Sequence, residues 1–296
     1  MTSAAVEPVA LRAGALSAAI VADRFLRIVS LAAGGEELLV DPAALPPAGR
    51  VHGALAGIPF LHPWANRLSA DAYAVGGIAA DVAEAPVGRD ANGLAIHGLA
   101  APPGAWRLTA DGTTHAHAHL AHAAVEAFPF AHDVDVDLRL EAERLTVTTT
   151  LRATGDVAVP VTFGWHPYLR LPGVPRERWA LALPARTRLL LDRRGLPTGR
   201  GMREPAERRV LGMDRYDDGF ADLAEGARLA VAGGGRSIAV RMVEGYPAAQ
   251  LYAPPSVDVI CPEPMTAPTD ALRSGRGLRV VAPGSAFSAT FTIELS

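Results

Sequence analysis

No lysine occurs in the 296 residues, so all 28 basic side chains are arginines. They are scattered, and against 31 acidic residues they leave a formal charge of -3. That distribution gives no basic footprint for nucleic acid or another polyanion. Cysteine occurs once, as Cys261, which excludes an intrachain disulfide framework and fits a reducing compartment. No stretch reaches the ~20 apolar residues of a membrane helix, because Asp or Arg interrupts each candidate. The N-terminal MTSAAVEPVALRAGALSAAIVADRF lacks the basic region and strongly apolar run of a secretory signal. A cytoplasmic protein without membrane or nucleic-acid partners is the expectation. Also missing are GxGxxG, the P-loop, GxSxG, HExxH and the EF-hand loop, and one cysteine cannot make CxxC. The commonest nucleotide, serine-hydrolase and zinc signatures are thereby removed.

What is present is a period of two. Residues 72–83, 114–128, 132–153 and 235–245 alternate small or polar side chains with larger apolar ones, the pattern of half-buried antiparallel strands. Val134, Val136, Leu138 and Leu140 alternate with Asp133, Asp135, Asp137 and Arg139; helical spacing would spread those aspartates around the circumference. Turn signals follow at short intervals, among them Asp111-Gly112, Pro172-Gly173 and Gly233-Gly234-Gly235. With 49% hydrophobic and 20% charged residues and no linker or repeat, the chain reads as all-β. One large antiparallel sandwich domain over residues 1–296 is expected.

The conspicuous THAHAHLAH, residues 114–122, puts His115, His117 and His119 on one face of a strand; Ala116, Ala118 and Leu120 lie on the other, and His122 changes parity. A solvated or sheet-packed histidine row is the favoured reading, and no metal is assigned. Alternate histidines can chelate when other ligands complete the shell, so a metal-dependent enzyme stays as an alternative.

Four segments break the alternation with bulky polar residues: HPWANRL (62–68), NGLAIHGLA (92–100), TFGWHPYLRLPG (162–173) and ICPEPMTAPTDAL (260–272). In the third, His166 is held on a stiff backbone by Pro167, with Trp165 and Tyr168 able to wall a cleft. The plain reading of His166 is a hydrogen-bonded core histidine. Glu263, between two prolines, must find donors or raise its pKa, as a general base near neutral pH requires. Its plain reading is an acid at a turn. Arg67 has donors for hydroxyl recognition or for a salt bridge; Asp217 and Asp218 can accept from hydroxyls or cap a turn.

Taken in order, HPWANRL, AIHGLA, FGWHPYLRL, YDDGF, YPAAQLYAP and CPEPMTAPTDAL resemble the motifs of the aldose 1-epimerase (galactose mutarotase) family. The likeness runs from about residue 16 to the C-terminal FSATFTIEL. It implies a galactose mutarotase-like supersandwich and cofactor-free interconversion of the α and β anomers of a free hexose. Carried over by position, His166 protonates the ring oxygen and Glu263 removes the anomeric hydroxyl proton. Asn66, Arg67, His97, Asp217 and Tyr168 bind the sugar. The scheme needs acid and base on opposite sides of the C1–O5 bond, with His166 charged part of the time. The chain departs from some members at Tyr246, where they carry a substrate-binding glutamine before the proline; Gln250 lies beyond it. A hexose 6-phosphate epimerase and a non-catalytic sugar-binding protein are the alternatives. A small-molecule sugar and no other partner is expected, in a monomer or homodimer.

Overall fold

A computed structural model describes residues 6–45 and 57–296. The first residues read for a leader, and part of the 1–296 domain span, lie outside them. Two large sheets carry the chain, and every pairing between their strands is antiparallel. The 11-stranded sheet runs Val9–Ala13, Leu16–Ala22, Leu26–Ala33, Ile58–Leu61, Gly164–Trp165, Cys261–Met265, Ala248–Ala253, Tyr216–Ala221, Arg186–Leu191, Pro197–Glu204, with Glu36–Glu37 beside Leu26–Ala33. The nine-stranded sheet runs Trp106–Asp111, His115–His122, His132–Glu141, Arg144–Ala153, Ala286–Leu295, Arg236–Glu244, Ala227–Gly233, Ala180–Leu183, Glu207–Val210. Ala271–Ser274 is the only α-helix among the described residues, and no helix there is long and apolar enough to cross a membrane.

The alternation read from the sequence is the packing of the nine-stranded sheet. Val134, Val136, Leu138 and Leu140 are buried, while the intervening aspartates and arginine face outward. The segment 132–153 is a hairpin of two strands, and 114–128 is strand only to His122. Residues 72–83 form a hairpin turned at Gly76-Gly77. Aromatic rings join the two sheets. Trp165 packs on Phe60 and on Phe291 with centroids 4.9 and 5.8 Å away, and its indole donates to Thr149 Oγ1 at 3.2 Å. Tyr246 fills the same core beside Phe163 and Phe291.

The histidine row lies on the outer face. His115 and His117 approach Asp137, and His119 Nδ1 lies 2.8 Å from Asp135. Ala116, Ala118 and Leu120 face the core. Among the described residues no group of three or more His, Cys, Asp or Glu is arranged to hold a metal ion. His122, of opposite parity, turns inward beside His62 and His132.

These positions separate a core ring from a surface imidazole. Phe291→Ala should cost about 3–5 kcal/mol by the loss of packing and the cavity left. His117→Ala, which removes only half-exposed pairings, should stay within about 0.5 kcal/mol of the parent. Urea unfolding of the two variants checks the contrast.

Candidate active site

The middle strands of the 11-stranded sheet bring the polar segments together through register. Glu263 lies opposite Gln250, Tyr252 opposite both Cys261 and Asp217, and Gln250 opposite Gly219. Residues directly opposite share a face, so Glu263, Gln250, Tyr252 and Asp217 all look into one pocket. Pro262, Pro264, Leu251 and Asp218 take the other parity, and Asp218 stands 4.0 Å from Arg188.

His166 follows the strand Gly164–Trp165 and is fixed by its neighbours. Its amide donates to the Pro59 carbonyl at 3.1 Å, and the amides of Tyr168 and Leu169 donate to Gly57 and Ile260. Gly164 leaves no room for a Cβ, which would stand 2.7 Å from the Pro264 carbonyl oxygen. The Tyr168 ring stacks on the imidazole at 4.2 Å and 8°, while His97 meets it edge-on at 5.5 Å.

A second backbone device presents His97 and Asn66. Both adopt positive φ, 63° and 61°, a conformation costly for non-glycine residues and held here by reciprocal bonds. The His97 amide donates to the Asn66 carbonyl at 3.0 Å, and the Asn66 amide donates to His97 Nδ1 at 3.3 Å. That assigns the ring proton of neutral His97 to Nε2. The next residue, Gly98, passes so close to His62 that a Cβ would lie 2.0 Å from its carbonyl oxygen. Asn66 Oδ1 also accepts from Arg67, from the amide at 2.9 Å and from Nη1 at 3.1 Å. Asp90 holds Arg67 from the other side, 2.7 Å from Nε. Burial works to raise the Asp90 carboxyl, but Arg67 and the Leu94 and Asn92 amides outweigh it and bring the value below the ordinary one.

All seven residues singled out from sequence, Asn66, Arg67, His97, His166, Tyr168, Asp217 and Glu263, line this cavity of about 300 Å³. His166 Nε2 and Glu263 Oε1 are 3.2 Å apart, with Glu263 only 2% exposed. The two touch and form one wall of the pocket. The expectation of a histidine charged part of the time needs correction for the resting pair. Burial lowers the imidazole and raises the Glu263 carboxyl well above its ordinary value, with Asp217 pushing the carboxyl up further and Arg67 opposing. Both neutral forms are favoured, and the pair holds one proton between them.

Sequence reasoning missed Asp90, Tyr252 and the mouth residues Arg193, Arg194 and Arg215. Each comes from a strand end or turn whose approach to the site depends on long-range pairing. It also left out Gln250, which reaches the pocket and donates to Asp217 Oδ1 at 2.7 Å, while Tyr246 is in the core. The signal was available in the parity of YPAAQLY, since Gln250 and Tyr252 share a face.

Residues 45–294 match the family model described as aldose 1-epimerase. No curated protein matches. Among solved structures, the Slr1438 protein of Synechocystis sp. PCC 6803 is 23% identical with a TM-score of 0.78, over 100% of this chain and 98% of that one. A galactose mutarotase related enzyme from Lactobacillus acidophilus is 17% identical with a TM-score of 0.79, over 98% and 97%. A galactose mutarotase-like protein from Clostridium acetobutylicum is 16% identical, also with a TM-score of 0.79, over 98% and 95%. At these identities the likeness is one of fold.

Asn66→Ala should remove the acceptor that serves Arg67 twice while leaving a Cβ at positive φ. A loss of about 1–3 kcal/mol is expected from the buried donors left unpaired. Asn66→Gly relieves the backbone and isolates the hydrogen-bond share. Denaturant titration of both variants measures the two contributions.

Proposed function

The chain belongs to the aldose 1-epimerase family, and from that premise we propose that it interconverts the α and β anomers of a free aldose by acid–base ring opening and closure. The observation that carries this reading is the buried contact of His166 with Glu263 inside a polar pocket. The two oxygens on an anomeric carbon are geminal, so acid and base in mutual contact can each meet one of them. Glu263 takes the proton from the anomeric hydroxyl as His166 gives one to the ring oxygen, and the C1–O5 bond breaks to the aldehyde. Rotation about C1–C2 presents the other carbonyl face, and closure returns both protons.

The proton count of the pair never changes. Carboxylate with imidazolium, and carboxylic acid with imidazole, each hold one proton; burial favours the second at rest, a proton passed across the contact gives the first, ring opening returns the second, and closure regenerates the first. No cofactor enters the scheme. His97, Arg67, Asp217 and Asn66 orient hydroxyls, while Gln250 holds Asp217 in place. Tyr168 and Tyr252 wall the pocket with phenols that burial keeps protonated, Tyr252 pushed up to about 12.

The pH dependence follows from the directions of the shifts. Activity requires the one-proton pair. Adding a second proton charges the site positively, which burial opposes, so the acid limb lies below the ordinary histidine value of about 6.5. Removing the last proton leaves a buried carboxylate, which burial also opposes, so the alkaline limb lies well above the ordinary Glu value of about 4.3. A bell bounded by these two limbs is expected in kcat/KM. Polarimetry on freshly dissolved α-D-glucose and α-D-galactose should show accelerated mutarotation, reduced about 10²–10⁴-fold in Glu263→Gln and in His166→Gln. A Glu263→Gln enzyme as fast as the parent overturns the assigned base.

Arg193, Arg194 and Arg215, all exposed at the mouth of the pocket, favour a second reading in which the sugar carries a phosphate. Of the three, only Arg194 forms an ion pair among the described residues, with Asp192 at 3.5 Å. On that reading a hexose 6-phosphate is turned over with higher kcat/KM than the free hexose, and Arg193→Gln with Arg215→Gln abolishes the difference. Equal values for the two sugars in the parent enzyme favour the free aldose.

A further inference from the structure

A second cavity, of about 460 Å³, lies beyond the His97 strand and shares no lining residue with the sugar pocket. Its volume falls within the range of ~300–1,000 Å³ typical of small-molecule sites. The walls are apolar and aromatic, from Phe25, Phe60, Pro86, Leu99, Trp106 and Leu120, and Val125 stands at the edge 45% exposed. Four charged residues also line it, Arg24 against Asp81, Glu84 and Glu126, and all four are exposed.

Three histidines meet at one side. His62 and His122 line the cavity, and His132 is fully buried behind them. Their hydrogen bonds fix where the protons are. Burial, together with mutual repulsion, keeps the three rings neutral, His132 lowered to about 3. His132 Nδ1 lies 2.6 Å from the Phe130 carbonyl, which only accepts, so the His132 proton is on Nδ1 and its Nε2 is a lone pair. His62 Nε2, 2.7 Å from that lone pair, must therefore be the donor, leaving the acceptor of His62 on Nδ1. His122 is bonded to the backbone of Phe128, and its buried Nε2 has no partner among the described residues. Every ring N–H of the cluster is used internally, so the nitrogens left over, His62 Nδ1 and the buried His122 Nε2, are acceptors.

We propose that this cavity binds an uncharged, predominantly apolar molecule carrying one hydroxyl donor, a phenol or comparable alcohol, with the hydroxyl at the His62 and His122 imidazoles and the apolar body against the wall that Phe60 and Trp106 form together. The rim is net acidic, three carboxylates against the one cation Arg24, and opposes carboxylates and phosphates, and the imidazoles offer an anion no donor. This site is independent of the sugar chemistry and goes beyond it.

Calorimetric titration with p-cresol, toluene and p-toluate tests the assignment. p-Cresol should bind about tenfold more tightly than toluene, the worth of a net buried hydrogen bond, and p-toluate should not bind. His122→Phe combined with His62→Phe should bring p-cresol down to the affinity of toluene. Ala85→Trp and Ala100→Trp, which fill the cavity from two sides, should each abolish binding, so a folding failure of one leaves the other informative. Glu263→Gln should bind p-cresol as the parent does, which separates this cavity from the sugar pocket. Equal affinity for p-cresol and toluene, binding of p-toluate, or p-cresol binding that survives both tryptophan variants overturns the proposal, as does its loss in Glu263→Gln.

Discussion

The contact between His166 and Glu263 sets the terms for everything around it. A carboxyl and an imidazole removed from water each resist their charged forms, and only by sharing a proton do they stay ionisable in a site this dry. Sharing demands that both groups hold position within a few tenths of an ångström. The sheet supplies that precision: Glu263 is in register with Gln250, and the His166 segment is bonded on two sides. Tyr168 lies flat on the imidazole, and Gly164 lets the backbone of the glutamate strand come close enough for the pair to meet. Much of the polar architecture can be understood as what is needed to keep two groups touching where water cannot help them.

A second tier of support works through Arg67. Its guanidinium lies between Asp90 and Asn66, with Asp217 3.9 Å away, so the cation that lowers the Glu263 carboxyl is itself anchored on three sides. The positive φ of Asn66 and His97 is paid for by their reciprocal bonds, which turn two adjacent crossings into one rigid unit. Strain held at Asn66 and at His97, the latter within the strand Ala95–Leu99, accords with a site whose geometry matters more than local stability.

Much of this was legible in the sequence because strands declare themselves locally. Parity alone separates Val134 from Asp135 and sorts the histidine row into a face, and the structure follows that sorting. His166, Glu263, Asn66 and Arg67 stood out because costly polar residues sat where the alternation failed. Asp90 and the mouth arginines had no such contrast, being polar residues in polar turns whose position depends on which distant strand lies beside them. Gln250 was set aside because it stands beyond Pro247, but the strand Ala248–Ala253 carries it to the pocket beside Tyr252, while Tyr246, before that strand begins, packs in the core.

The stacking of Tyr168 on His166 has a consequence for where motion resides. With one face of the imidazole covered, its edge met by His97 and its carboxyl partner buried, the reacting groups have almost no torsional freedom left. For an anomer exchange the required half-turn then belongs wholly to the open-chain sugar, which must swing its aldehyde inside a cavity of about 300 Å³. Specificity in such a site is a matter of clearance as much as of hydrogen bonding: a sugar is selected by whether its open form can turn over without letting go.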